Sequence, residues 1–446
     1  MRGYDALIIG GGPALRNCVK TVRLMDKNAT IACIRKDKTM INHCAMPYIF
    51  DRSTTLEKVI IKDSIITRWG ADIFIDEAIN IDPKEKIVTT LNEKFRYKKL
   101  FLMTGANPLK FSLEGINLKN IFTLRHTEDV SELEKTLNMP GTKNLVIVGG
   151  GYIGVEFAYI SRKRGDLNVS LIELLPHVMQ AFFDDEFSIK AEEKLKSKGV
   201  TVYTNTRVIG FKGNGKVEKV VTENGEIPAD VVILGIGVSP NIALAVKAGI
   251  KASKKGIEVD KYMKTSLEDI YAAGDVINNW SAVTGDEIPG RLGSNAVVEA
   301  KVAAINAFGG KREFKGVVNP VGTKIFDLSF GSVGLTERYL MEKGIEYMVG
   351  KAKTTSIYSM LPESKEVEAK MIFDRKSFRL LGAQITGDTR IAGLVDLIAL
   401  SLLKKLSIED ILNLQYTTQP ELSPQPRGNI WVSCAENVWQ EMKNKI

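Results

Sequence analysis

Cys44 stands in the run Asn42-His43-Cys44-Ala45-Met46-Pro47-Tyr48, and the other cysteines, Cys18, Cys33 and Cys434, lie well away from it in sequence. A thiolate placed this way can attack a sulfur atom or a peroxide and become a mixed disulfide, a persulfide or a sulfenate. One-sulfur redox chemistry is therefore what this residue offers. His43 is a candidate base beside it, although neighbours in sequence often point apart. Cys18 falls on a helical pattern, Cys33 in a strand pattern and Cys434 near the C-terminus, and these three read as packing residues. No two cysteines have C-x-x-C spacing, so neither a zinc site nor any other metal site is expected.

A second kind of chemistry is written in glycines. Leu145-Val146-Ile147-Val148 is an apolar strand that runs into Gly149-Gly150-Gly151-Tyr152-Ile153-Gly154 and then a helical pattern. A pyrophosphate needs unhindered N–H groups at a helix N-terminus, and glycines directly after a strand provide the tight turn and the close approach. Glu173 ends the next strand, Asn168 to Ile172, about 20 residues on, where a carboxylate accepts a ribose 2′-hydroxyl. It would repel a 2′-phosphate, so NADH is favoured over NADPH. The chain opens with the same grammar, Tyr4 to Ile9 followed by Gly10-Gly11-Gly12-Pro13, then a strand from Thr30 to Ile34. Here Leu15 replaces the third glycine, which should loosen or shift the packing of helix on strand. Ile34-Arg35-Lys36 stands where an acid is expected, and Arg35 and Lys36 either contact phosphate or are solvated.

A distant segment strengthens the first site. Thr265-Ser266-Leu267-Glu268-Asp269-Ile270-Tyr271-Ala272-Ala273-Gly274-Asp275 ends a strand in Gly-Asp, which places a carboxylate where it can hold a ribityl hydroxyl. With this segment the sequence resembles the pyridine nucleotide-disulfide oxidoreductase family, and the likeness covers nearly the whole chain. Phe101-Leu102-Met103-Thr104-Gly105-Ala106 is similar to the family's strand returning from the FAD domain. Gly235-Ile236-Gly237-Val238-Ser239-Pro240-Asn241 is similar to its exit from the NAD domain.

The single cysteine resembles one branch of that family, whose motif is S-x-x-N/S-C-G-x-P-Y. That branch holds coenzyme A-disulfide reductases, NAD(P)H-dependent persulfide reductases, NADH oxidases and NADH peroxidases. The resemblance implies that FAD is held by Gly10, Gly12, Pro13, Arg35, Asn42, Thr104, Gly105, Gly274, Asp275 and Ser294. It implies that the nicotinamide nucleotide is held by Gly149, Gly151, Tyr152, Ile153, Gly154, Glu173, Gly235 and Gly237. Tyr152 would cover the empty nicotinamide pocket, and Cys44 would meet the flavin on the face opposite the nicotinamide. Tyr416, in Tyr416-Thr417-Thr418-Gln419-Pro420-Glu421-Leu422-Ser423, matches a Tyr-x-P-P-[FY]-S segment in part and is a candidate donor to the sulfur or leaving group. Gln419 stands where dithiol relatives carry histidine, and it cannot shuttle a proton at neutral pH.

These features must be positioned by an α/β fold: two Rossmann-like dinucleotide-binding domains, one for FAD and one for NAD(P)H, plus an α+β C-terminal dimerisation domain. The expected boundaries are 1–113 and 239–316 for FAD, 114–238 for NAD(P)H and 317–446 for the interface domain. A chain of 446 residues, 44% hydrophobic and 26% charged, suits two to four globular domains. No run approaches the ~20 apolar residues of a membrane span, and a cytoplasmic address is expected. The net charge of +8 is scattered rather than blocked, which argues against nucleic acid and suits phosphate-bearing ligands.

The expectation is an FAD-dependent NAD(P)H oxidoreductase, working as a homodimer, that reduces a small persulfide, polysulfide or coenzyme A disulfide through Cys44. The alternatives are an NADH oxidase reducing oxygen, a flavin-poor regulatory or binding homologue, and reduction of an electron carrier such as rubredoxin.

Overall fold

The computed structural model describes residues 1–110 and 112–444, which form two compact units. The first unit comprises Met1–Lys110, Thr123–Lys135 and Gly237–Val317. The second comprises Phe111–Phe122, Thr136–Ile236 and Val318–Ile446.

The first unit is built on a seven-stranded sheet. Ala71–Ile75, Ile31–Arg35, Arg2–Gly10 and Lys94–Met103 run parallel in that order, and Ile270–Ala272 joins Lys94–Met103, also in parallel. Ile31–Arg35 is buried along its whole length, which is why Ile31-Ala32-Cys33-Ile34 reads as an unbroken apolar run rather than an alternating one. An antiparallel ribbon, Ala78–Asp82 and Ile87–Thr90, completes the sheet. Helices Pro13–Met25 and Gly293–Ala307 pack on one another beside it, and the second buries the small side chains of Ala296, Ala300, Ala303 and Ala307. Phe101 and Tyr271 stack at 5.6 Å inside this core.

The second unit contains a five-stranded parallel sheet in the order Ile121–Phe122, Val231–Leu234, Asn144–Val148, Asn168–Ile172, Val200–Tyr203. Helices Tyr152–Lys163 and Asp185–Ser197 supply the crossovers that parallel pairing requires. A three-stranded antiparallel sheet spans Val208–Lys212, Lys219–Thr222 and Gly225–Pro228.

After residue 320 comes a five-stranded antiparallel sheet, Val321–Ile325, Leu328–Gly334, Leu380–Gly387, Glu366–Asp374 and Tyr347–Thr355, with helices Ile391–Leu403 and Ile430–Lys443 packed on it. Its tie to the parallel sheet's region is ionic as well as apolar. Lys370, fully buried, bonds Asp184 at 2.6 Å, Glu186 at 2.9 Å and Glu337 at 2.7 Å, while Gln384 donates to Asp184 at 2.6 Å. Hydrogen bonds from Lys351 and Lys370 outweigh burial and hold the Glu186 carboxyl down to about 2.

Candidate active site

In the first unit, strand Arg2–Gly10 ends in a glycine at φ +150°, and a methyl group on Gly10 would lie 2.1 Å from the Met103 carbonyl oxygen. Gly12 caps helix Pro13–Met25 with no side chain across its first N–H groups, and Pro13 follows as the first helical residue. Leu15, at the position of the third glycine, is fully buried in the core.

Gly274, at φ +84°, closes on the same place: a methyl group there would sit 3.4 Å from the Ala14 side chain and 3.5 Å from that of Ala296. Glycine loop and Gly-Asp strand end therefore converge on one cradle. Asp275 is recessed in it with no protein hydrogen-bond donor among the described residues. Burial pushes its carboxyl up, and the charges of Arg125 and Arg291 partly offset this.

Thr104 and Gly105 frame another wall. The Thr104 hydroxyl donates to Asn241 O at 3.0 Å, Gly105 takes φ +65°, and an Arg125 guanidinium nitrogen lies 3.1 Å from where a Gly105 methyl would be. Ser294 is exposed in the first turn of helix Gly293–Ala307. An unpartnered recessed carboxylate, open helix N–H groups and two nearby guanidinium groups fit a cofactor with hydroxyls and a diphosphate, as FAD has.

Arg35 is placed differently from a solvated charge. It is buried, with Asp63 held at 2.7 and 2.8 Å and the carbonyls of Asp37 and Lys38 both at 3.0 Å. Four of its five N–H donors are spent on the protein, leaving one for a phosphate.

Cys44 is exposed in a turn in which the Asn42 carbonyl accepts from the N–H groups of Ala45 and Met46, each at 3.1 Å. Asn42 itself is exposed. Cys18, Cys33 and Cys434 are buried, and burial pushes each of these thiols well up. Of the four cysteines, Cys44 is the one open to a substrate.

His43 Nε2 lies 3.0 Å from the Arg125 carbonyl, which can only accept, so Nε2 carries the hydrogen and Nδ1 is left as an acceptor. Burial, reinforced by the Arg125 charge, brings this imidazole down to about 4. A ring so held stores no proton at neutral pH. Through it, the cysteine turn is tied to Arg125, whose guanidinium flanks the cradle.

In the second unit, Gly149 has φ +105°, and a methyl group on it would meet the Gly235 carbonyl oxygen at 2.5 Å. A methyl on Gly154 would lie 1.8 Å from the Gly149 carbonyl oxygen, so the third glycine is imposed by helix and strand contact. Gly151 caps helix Tyr152–Lys163 without a side-chain cap. The Gly235 N–H donates to Val148 O at 2.7 Å.

Glu173 reaches back to the loop, its Oε2 accepting from the Gly150 N–H at 2.6 Å and its Oε1 from the Leu175 N–H at 2.8 Å. Ile153 is exposed. Tyr152 meets Phe182 edge-on at 5.9 Å, and its buried hydroxyl has no partner among the described residues. Glu156, one turn further along the helix, accepts from the Thr323 hydroxyl at 3.3 Å, and burial raises it to about 7. Gly237, at φ +107°, belongs to the first unit, where its carbonyl accepts from Leu109 N–H at 2.9 Å. Tyr416 is exposed, and its hydroxyl donates to the Pro426 carbonyl at 2.6 Å, so its proton is already engaged.

Arg125, Arg291, Glu299 and Glu156 escaped sequence reasoning. Glu156 and Glu299 had a visible signal, a carboxylate on the apolar side of a helical pattern. The two arginines had none.

Two glycine cradles, each opening a helix after a parallel strand, together with one exposed thiol, define a two-nucleotide oxidoreductase. The chain belongs to the pyridine nucleotide-disulphide oxidoreductase family, whose model matches residues 4–300, and residues 321–429 match that family's dimerisation domain. FAD and NAD(P)H are its cofactors. It is 32% identical to an NADH oxidase of Methanocaldococcus jannaschii, over 99% of this chain and 100% of that one. It is 30% identical to an NAD(P)H coenzyme A polysulfide/persulfide reductase of Pyrococcus horikoshii, over 94% and 95% of the two chains. Among solved structures, an NAD-dependent persulfide reductase from A. fulgidus superposes with a TM-score of 0.94 at 29% identity, covering 98% of this chain and 84% of that one. Among the described residues, no helix is long and apolar enough to cross a membrane.

Proposed function

We propose that the protein is an FAD-dependent NAD(P)H oxidoreductase that reduces a small persulfide, polysulfide or coenzyme A disulfide through Cys44, with NADH as the preferred donor. The observation that carries this reading is the exposure of Cys44 on a turn tied, through His43 and Arg125, to the cradle of Gly105 and Asp275. The persulfide reductases among its relatives support the same acceptor class.

FAD, when bound, supplies the relay that carries two electrons from the nicotinamide to sulfur. Gly10, Gly12, Gly274 and Asp275 would hold it, and Gly149, Gly151, Gly154 and Glu173 would hold NADH. The Cys44 thiolate attacks the sulfane sulfur of R–S–SH; the S–S bond breaks, R–S⁻ leaves, and Cys44 becomes a persulfide. Two electrons then cleave that new S–S bond, releasing HS⁻ and restoring the thiolate. With a disulfide, R–S–S–R, the same attack expels one R–S⁻ and leaves a mixed disulfide, which two electrons resolve to the second R–S⁻. His43 acts here as a neutral strut for the turn. The match to a dimerisation domain supports a homodimer.

A second reading, reduction of oxygen, is favoured by the M. jannaschii relative. NADH turnover with coenzyme A persulfide, coenzyme A disulfide and oxygen, compared in the wild type and Cys44→Ser, separates the two. The expected result is fastest turnover with a sulfur acceptor and its loss in Cys44→Ser, with flavin absorbance kept. Full persulfide and disulfide turnover by the variant would overturn the thiol mechanism.

A further inference from the structure

Glu299 is a carboxylate among Ala296, Ala300 and Ala303 on the buried side of helix Gly293–Ala307, and it is fully buried itself. Its Oε2 accepts from the Gly274 N–H at 2.7 Å and its Oε1 faces Asn279 Nδ2 at 3.1 Å. Both partners are neutral, and no lysine or arginine reaches it among the described residues.

The charged groups around it are few. Asp275, next to Gly274, disfavours ionisation of Glu299, and the charges of Arg125 and Arg291 act on Asp275. Helix Pro13–Met25, packed along Gly293–Ala307, brings no charge within hydrogen-bond distance of Glu299; its own half-buried cation, Arg16, keeps Nε buried without a partner among the described residues. Strand Ile270–Ala272 adds no charge. Burial, with a smaller push from Asp275, raises Glu299 to about 7, against the pull of its two donors.

The surroundings also suit a protonated carboxyl. Asn279 Oδ1 is buried without a partner among the described residues. The two ends of an asparagine amide exchange by rotation, so this oxygen can turn to accept a Glu299 O–H while the Gly274 N–H keeps its acceptor.

We propose that Glu299 couples FAD binding to the uptake of one proton from solvent onto its carboxylate. The proposal rests on the flavoprotein reading above. A methyl group on Gly274 would lie 3.4 Å from the Ala14 side chain, in the first turn of the helix whose N-terminus would receive the diphosphate, so Glu299, Gly274, Asp275 and that helix start lie close together. Anionic cofactor placed there makes an ionised Glu299 costlier still, and the proton removes that cost. Glu299 is thus a positioning residue: it acts on the cofactor through the Gly274 N–H and sets the pH range of tight binding.

The test is dilution of the holoenzyme at a series of pH values from about 6 to about 9, with the released flavin read by fluorescence to give Kd. In the wild type, Kd should be flat below about 7, near the Glu299 value, and weaken above it by up to about tenfold per pH unit, the slope of one proton. Glu299→Gln should remove the slope, whereas a merely structural role would shift Kd equally at every pH. Should that variant fail to hold FAD, Glu299→Asp keeps a titrating group and should move the midpoint. A flat wild-type profile, or an undiminished slope in Glu299→Gln, overturns the coupling while leaving the flavoprotein intact. A protein that binds no FAD at any pH overturns the flavoprotein reading, and this one with it.

Discussion

Replacing Glu173 by alanine tests whether that carboxylate is only a selector for the ribose hydroxyl or also holds the glycine loop. A pure selector should yield to NADPH once the charge is gone, because nothing then repels the 2′-phosphate. Glu173 has a second role in the structure, since one oxygen receives the buried Gly150 N–H at 2.6 Å and the other the Leu175 N–H at 2.8 Å. A hydrogen bond to a charged acceptor contributes ~1.5–3 kcal/mol, and a buried donor left without a partner costs ~1–3 kcal/mol. Leu175 is partly exposed, so water can replace its bond, whereas Gly150 is buried and has no such recourse.

A net loss of about 2 kcal/mol is therefore expected at the loop, which weakens NADH binding about thirtyfold and lowers the melting temperature. NADPH gains from the lost repulsion, yet it needs the same loop and should not reach the affinity of wild type for NADH. Glu173→Gln, which can still accept from Gly150, should lose less. Titration of the holoenzyme with each nucleotide, alongside thermal unfolding, measures both effects. A Glu173→Ala protein that binds NADPH as tightly as the wild type binds NADH, and melts at the wild-type temperature, would refute the loop-holding role.

Two further outcomes follow from other groups. His43→Asn should leave the shape of the persulfide-turnover pH profile unchanged between about 6 and 8, because the ring, at about 4, is neutral throughout that range; an acid limb near the ordinary histidine value that vanishes in the variant would show a proton carrier instead. Lys370→Met strands Asp184, Glu186 and Glu337 without their buried cation, a loss of about 3–5 kcal/mol that thermal unfolding at neutral pH would detect. Because Glu186 is held down to about 2, its stabilisation is present above its ordinary value of 4.5 and lost as pH falls toward 2. That acid-side loss should shrink in Lys370→Met, and an unchanged acid profile would contradict the pairing.

The parts of the fold that sequence reveals are those in which local chemistry leaves one choice. Asn144–Val148 and Asn168–Ile172 are strands where the apolar runs before and after the glycine loop predict them. Gly154 is legible because its alternative is a methyl group 1.8 Å from a carbonyl oxygen. The first cradle is less legible for the matching reason. Its collision falls on Gly10, against the Met103 carbonyl on a neighbouring strand, and the helix tolerates Leu15 by burying it in the core. The broken glycine motif thus goes with a different packing of helix on strand there.

What sequence does not reveal is convergence. Arg125 lies 150 positions from Asp275, and nothing in either segment's periodicity announces that one charge acts on the other. The direction of a side chain is equally silent: the hydroxyl of Tyr416 is spent on Pro426, and the imaginable base beside Cys44 turns its N–H to a backbone carbonyl. Reactivity at Cys44 therefore has to be argued from what surrounds it. Three thiols are disabled by burial, which raises the cost of their thiolates, and the fourth is exposed on a turn anchored by a neutral ring to an arginine-bearing segment. Desolvation sets three of the four sulfurs apart, and the fold exerts it by placing Cys18 on the inner face of a helix, Cys33 in a fully buried strand and Cys434 against the C-terminal sheet.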